Sequence, residues 1–315
     1  MFLTYFLFAL GFVLLVKGAE WLIEGAAVFA RKFHISEIVV GLTLVAFGTS
    51  APELVVNIIS SLRGSGELVM GNIVGSNIAN IALVLGCAGL IAPLAIQKDL
   101  MKKEIPLGIF GVLLIWLLAK PTGELLTINR LGGLILIIGF GIFLYLIFRY
   151  SKSKFQFPNI ITKEMTLRTS LIFIVVGLIA LSFGGEFVVD SARKIAESFG
   201  VSEKLIGLTL VAIGTSLPEL VTSIVAVWKK KVDLAIGNIV GSNVFNIFWV
   251  LGVSAVIQPV TFNQAIDFDL VVLTGFTLLL LSAIFFGKRY QLNRWGAALL
   301  LISYSGYLGY IVNRG

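Results

Sequence analysis

Two stretches of this chain carry side chains that could ligate an ion: "GLTLVAFGTSAPELV", starting at Gly41, and "GLTLVAIGTSLPELV", starting at Gly207. Each sets a Thr-Ser pair, a proline and a glutamate into an otherwise apolar run. On a helix, Ala46, Thr49, Ser50 and Glu53 fall at i, i+3, i+4 and i+7, so two hydroxyls and a carboxylate share one face. Ala212, Thr215, Ser216 and Glu219 repeat that spacing. Pro52 and Pro218 lack the N–H that would reach the carbonyls of Gly48 and Gly214, so each helix should break there and free carbonyls near Ala46 and Ala212. Irregular backbone at membrane depth is tolerated only where it lines a cavity or is buried in protein.

A second pair of motifs adds amide oxygens. "GNIVGSNIANIALVLG" places Asn72, Ser76 and Asn80 at i, i+4 and i+8, and "GNIVGSNVFNIFWVLG" does the same with Asn238, Ser242 and Asn246. Gly71, Gly75, Gly237 and Gly241 beside them allow close helix approach. Together the four stretches offer an all-oxygen cage of net charge −2. Hard cations want such ligands, and Ca²⁺ takes about six to eight oxygens at roughly 2.3–2.6 Å. Two carboxylates balance one Ca²⁺, and the neutral oxygens could hold several Na⁺. A soft metal has no matching set, because His34 stands alone at a loop and Cys87 alone in an apolar run.

Structural roles compete with these. Any one hydroxyl could bond back to its own helix, and Asn72 and Asn238 could be hydrogen-bond glue between helices rather than ligands. Glu20, Glu24, Glu186 and Asp190 could draw cations into a vestibule or simply sit at an interface. Glu53 and Glu219 differ. Lys17 is the one basic residue well inside an apolar run, so neither glutamate has an evident cationic partner, and an unpaired buried carboxylate must be protonated or bound to an ion.

The elements that position these groups are membrane helices. The chain of 315 residues is 58% hydrophobic and 13% charged, half the charge of a soluble domain at about 25%. Apolar runs long enough to span a bilayer recur from end to end. The expected fold is all-α and polytopic, with ten transmembrane helices near 2–30, 36–62, 67–91, 104–119, 128–148, 168–193, 202–228, 233–257, 267–287 and 293–312. The first is read as a retained span, since its start lacks a basic region and a small-residue cleavage site. No stretch is left for a soluble catalytic head, so the chain is read as no enzyme and as needing no cofactor. The net charge of +7 is read as loop charge, not as a nucleic-acid surface. With the N-terminus outside, about 16 Lys and Arg fall in inward connections against about 7 outward, which places both termini on the extracytoplasmic side of the cell membrane.

The chain is also duplicated. Gly41 and Gly207, Glu53 and Glu219, and Asn80 and Asn246 are each 166 apart, and about 27 of 46 positions are identical between 41–86 and 207–252. The expected organisation is a first repeat at 1–148, a cytosolic linker at 149–167 and a second repeat at 168–315. Five spans per repeat is odd, so the second must enter the membrane inverted, with the site at mid-membrane between the halves.

At these residues the chain resembles a family. "GTSAPE" with "GNIVGSNIAN", and "GTSLPE" with "GNIVGSNVFN", are similar to the two alpha repeats of sodium/calcium exchangers, of the cation/calcium exchanger superfamily. The resemblance spans the whole chain. It implies antiport of about three Na⁺ for one Ca²⁺ by alternating access, with the first and sixth helices sliding over a fixed core. It also assigns ligand roles to Thr49, Ser50, Glu53, Ser76, Asn80, Thr215, Ser216, Glu219, Ser242 and Asn246, and carbonyl roles to Ala46 and Ala212. The implied partners are Na⁺, Ca²⁺ and lipid, with no protein partner evident. Asn246 stands where several prokaryotic and potassium-dependent members carry aspartate, which argues against K⁺ cotransport. Proton-coupled relatives typically show "GNxxE", where this chain has Ser76 and Ser242 after "GNIVG"; Ca²⁺/H⁺ exchange is the alternative reading.

Overall fold

The computed structural model of the chain describes residues 1–122, 125–151, 165–201, 214–285 and 290–314. The opening of the second repeat motif, including Ala212, and most of the central linker lie outside the described residues.

Helices dominate. They are α1 (Phe2–Lys32), α2 (Glu37–Thr49), α3 (Ala51–Leu62), α4 (Gly66–Ile91), α5 (Lys98–Leu118), α6 (Arg130–Ser151), α7 (Leu167–Ser198), α8 (Leu217–Trp228), α9 (Val232–Ile257), α10 (Gln264–Phe285) and α11 (Arg294–Arg314). Among the described residues seven are long and apolar enough to cross a membrane, and α2 with α3 makes an eighth if the bent pair is one span. Large apolar side chains such as Phe12, Leu117, Ile138, Ile179 and Ile302 are exposed along them, as a lipid solvent requires.

Polar side chains set the helix starts. The Ser36 hydroxyl accepts from Val39 N at 3.4 Å, and Thr166 accepts from Thr169 N at 3.2 Å. Asn129 and Asn293 play the same part for α6 and α11, accepting from Gly132 N at 2.9 Å and Gly296 N at 2.8 Å.

The centre is built by α4 and α9, which are 78% and 72% buried over their most apolar stretch, against 22% for α1. Gly237 and Gly241 let α9 press on α2: a Cβ at Gly237 would lie 2.9 Å from Gly41 Cα, and one at Gly241 2.5 Å from the Leu42 carbonyl oxygen. Gly71 and Gly75 have no such neighbour. On the outside, α1 and α7 lie antiparallel along a seam of small residues, with Gly11 against Gly184, Gly18 against Gly177 and Gly25 against Ser170. At 31 and 32 residues they run about 46–48 Å, well beyond a hydrocarbon core of about 30 Å, as their sequence length anticipated.

The mostly helical fold also carries a few short strands. Five short strands are present among the described residues: β1 (Leu94–Ala95), β2 (Lys120–Thr122), β3 (Leu125–Ile128), β4 (Val260–Phe262) and β5 (Gln291–Leu292). They are two to four residues long, too short to show a period of two in sequence. Their pairing is informative. Antiparallel β1 and β5 match Leu94 with Leu292, and antiparallel β3 and β4 match Ile128 with Val260. Leu94 and Val260 are repeat mates at the 166 offset, so one pairing is the counterpart of the other with the halves exchanged. Each half thus ties a strand to the other half.

Gly66, at the start of α4, packs against β4 so closely that a Cβ would lie 2.5 Å from the Thr261 carbonyl oxygen and 2.6 Å from its N. Neither backbone atom can step aside. Gly66→Val is expected to destabilise the protein by about 1–3 kcal/mol through overpacking. A lowered melting temperature in detergent checks this, with Gly71→Ala, in open space, as the mild comparator.

Candidate functional site

The proline break occurs where the sequence places it. α2 and α3 meet at Ser50 with a 48° bend, and Pro52 occupies the first turn of α3, where a missing N–H costs nothing. The break does not free the Ala46 carbonyl as expected. That oxygen accepts from Ser50 N at 3.0 Å and from Thr49 Oγ1 at 3.3 Å. The Gly48 carbonyl, which faces Pro52 four residues on, is not left free either: it accepts a backbone N–H where the helix ends. α8 starts in the same way, with Pro218 in its first turn after Ser216.

Both glutamates enter the protein interior from these first turns. Glu53 is 1% exposed and Glu219 0%, and each feels the other's charge. Neither takes part in a salt bridge among the described residues. Hydroxyls bond Glu219 instead. Ser50 donates to Glu219 Oε1 at 2.8 Å across the two halves, and Ser242 donates to the same oxygen at 3.4 Å. Thr49 donates to Asn238 Oδ1 at 3.0 Å, and Thr215 to Asn72 Oδ1 at 3.3 Å. Ser76 and Thr215 are 3.4 Å apart. Every one of these contacts joins a residue of one repeat to a residue of the other, Ser242–Glu219 excepted.

Several polar atoms at this place remain without a protein partner though fully buried: the oxygens Glu53 Oε2, Glu219 Oε2, Ser216 Oγ, Asn80 Oδ1 and Asn246 Oδ1, and the amide nitrogens of the same two asparagines. Buried polar atoms are normally paired, and orphans on this scale at one place make it the candidate ligand site. The asparagines gain their positions from a feature absent from any sequence rule. α4 carries a π turn over Asn80–Val84, and α9 one over Phe245–Val250. Such turns shift the helical register and are frequent at functional sites. The turn holding Asn80 packs on α8, which bears Glu219, and the turn holding Asn246 packs on α3, which bears Glu53.

The structure therefore gathers Thr49, Ser50, Glu53, Ser76, Asn80, Thr215, Ser216, Glu219, Ser242 and Asn246 around one interface, with Ala46 at its edge. Asn72 and Asn238 act as acceptors for the threonines, as their glue reading anticipates, and Ser223 supports Asn238 by accepting from its Nδ2 at 3.1 Å. Nothing in the motif spacing singles out Ser223. The outlying acids behave differently: Glu20 pairs with Lys17 at 2.8 Å and Glu24 with Lys229 at 2.6 Å, at partly exposed positions.

The family description "sodium/calcium exchanger protein" matches residues 3–149 and 169–313, nearly the entire chain. The chain belongs to the sodium/calcium exchanger family. It is 30% identical to sodium/calcium exchanger MaX1 of Methanosarcina acetivorans, over 97% of this chain and 97% of that protein. It is 35% identical to inner membrane protein YrbG of Escherichia coli, over 82% and 81%. Among solved structures, the sodium-calcium exchanger NCX_Mj soaked with zero Na⁺ and Ca²⁺ superposes with a TM-score of 0.84 at 31% identity, covering 98% of this chain and 99% of that one. With its apolar spans, this makes the protein a multi-pass membrane protein of a cation/Ca²⁺ exchanging family.

Proposed function

We propose that this exchanger is a secondary antiporter moving about three Na⁺ against one Ca²⁺ by alternating access, without K⁺. The observation that carries the reading is the pair Glu53 and Glu219: one from each repeat, both buried, mutually repelling, with serine hydroxyls on Glu219 and no salt bridge to either among the described residues. Two carboxylates match the charge of one Ca²⁺. If Na⁺ competes for the same carboxylates, the two cargoes cannot ride together, and the outcome is exchange. Each ion shifts the balance of inward- and outward-facing states only through its differential affinity for them. Asn246 supplies no charge at the position where potassium-dependent relatives carry one, which supports K⁺ independence.

The proposed membrane arrangement is ten spans in two inverted five-helix repeats, with both termini extracytoplasmic. Support comes from the 166-residue offset, from the strand pairings that repeat with the halves exchanged, and from the positive-inside bias of the loops. α2 with α3 would be one broken span, and α8 part of its mate.

Uptake of ⁴⁵Ca into proteoliposomes loaded with Na⁺, with K⁺ or with a pH gradient tests the function. Uptake is expected with Na⁺ inside, undiminished without K⁺. Exit of three Na⁺ for each entering Ca²⁺ moves one net charge, worth about 2.3 kcal/mol per 100 mV, so a lumen-positive potential should accelerate it. Uptake driven by the pH gradient alone would establish the proton exchanger instead, and uptake with no counter-ion gradient would establish a channel.

A further inference from the structure

We infer that Asn238 and Asn72 are positioning residues that take the hydroxyl protons of Thr49 and Thr215, and so aim those threonine oxygens at Na⁺. The inference rests on the Na⁺/Ca²⁺ reading above. A hydroxyl has one proton and two lone pairs, and it can serve a cation only through the lone pairs. Thr49 Oγ1 donates to Asn238 Oδ1 at 3.0 Å from the other repeat, and Thr215 Oγ1 donates to Asn72 Oδ1 at 3.3 Å. The two bonds are mates at the 166 offset, so the same proton acceptor is set behind each threonine. Thr49 Oγ1 has a second acceptor in reach, the Ala46 carbonyl at 3.3 Å, and the asparagine at 3.0 Å is the nearer claimant for its one proton; a proton held there leaves the hydroxyl's lone pairs for a cation.

An asparagine can play this part only if its amide is held with oxygen toward the threonine. Asn238 is held: it is fully buried, and its Nδ2 donates to Ser223 Oγ at 3.1 Å. The mate of Ser223 is Asn57, which is committed elsewhere, its Nδ2 donating to the Glu53 carbonyl at 2.7 Å. Asn72 Nδ2 and Asn57 Oδ1 are both buried without partners. The Ser223–Asn238–Thr49 chain is therefore complete, while its mate is broken at Asn57. The two threonine oxygens are unequal, and the one on Thr49 is the better fixed. Na⁺, which the two carboxylates cannot serve three times over, depends on such neutral oxygens more than Ca²⁺ does.

The test is the Na⁺ and Ca²⁺ dependence of exchange by the full-length protein in proteoliposomes. Asn238→Ala is expected to raise the half-saturating Na⁺ concentration by about tenfold, the scale of a hydrogen bond that supports a charged ligand. The half-saturating Ca²⁺ concentration and the maximal rate should stay within about twofold. Ser223→Ala, which removes only the anchor, should shift Na⁺ in the same direction by about threefold. Asn238→Asp should restore Na⁺ dependence, because a carboxylate still accepts from Thr49 while Ser223 reverses to become the donor. A parallel rise for both ions with a lowered melting temperature would reduce Asn238 to packing glue and overturn the inference. So would unchanged Na⁺ dependence in both alanine variants. Should Asn238→Ala fail to fold, Ser223→Ala and Asn238→Asp decide alone. A wild-type protein indifferent to Na⁺ would instead overturn the Na⁺/Ca²⁺ reading itself, a result distinct from either.

Discussion

Glu219→Gln is expected to lower Na⁺-driven Ca²⁺ uptake by at least about a hundredfold, with Glu53→Gln doing the same. The scale follows from removing one partner of a buried charge interaction, typically about 3–5 kcal/mol. The substitution keeps shape and hydrogen bonds: the new amide oxygen at position 219 can still accept from Ser50 and Ser242, which now donate at 2.8 and 3.4 Å. What disappears is one of two negative charges facing a divalent ion. The variants should therefore melt near the wild-type temperature but lose the upward shift that Ca²⁺ gives. Glu24→Gln is the matched comparator, since Glu24 is 45% exposed and paired with Lys229 at the surface, where such pairs contribute little. Equal uptake by all three variants would place the ion path elsewhere in the molecule.

The residue types of the candidate site were legible in the sequence because the duplication displays them twice. Packing preserves size and apolarity, so matched Thr, Ser, Glu and Asn at one constant offset point to shared chemistry. The break at Ser50 was legible from Pro52, a local steric effect. Three other features were not. The π turns at Asn80 and Phe245 arise from how α4 and α9 pack against neighbours, and no local preference in "NIALV" or "FNIFWV" announces them. The bonds from Thr49 to Asn238 and from Ser50 to Glu219 join residues 189 and 169 apart, where only the fold chooses partners. The Ala46 carbonyl departs from expectation for a simpler reason: the last turn before the break still closes on it through Ser50 N, and a further backbone N–H at the helix end closes on the Gly48 carbonyl.

Gly18→Leu is expected to slow exchange by at least about tenfold while leaving ion binding in place, and the seam between α1 and α7 is the reason. A Cβ at Gly18 would lie 2.8 Å from the Gly177 carbonyl oxygen and 2.9 Å from Leu181 N, so a leucine must drive the two backbones apart. Gly11 faces Gly184 in the equivalent place, and Gly11 and Gly177 are themselves repeat mates, so the seam is built twice. Glu53, Glu219, Asn80 and Asn246 lie on α3, α8, α4 and α9, not on the pair that carries this seam. If α1 and α7 move as one body over those helices, separating them should disturb the conversion between facing states more than the site. The readout is a Ca²⁺-dependent rise in melting temperature that survives beside a depressed exchange rate. Gly141→Leu, on an exposed face of α6 with nothing near its Cβ, should alter neither. Exchange at the wild-type rate in Gly18→Leu would mean that close contact along the seam is dispensable for transport, and loss of binding as well would make the helix pair part of the site's own foundation.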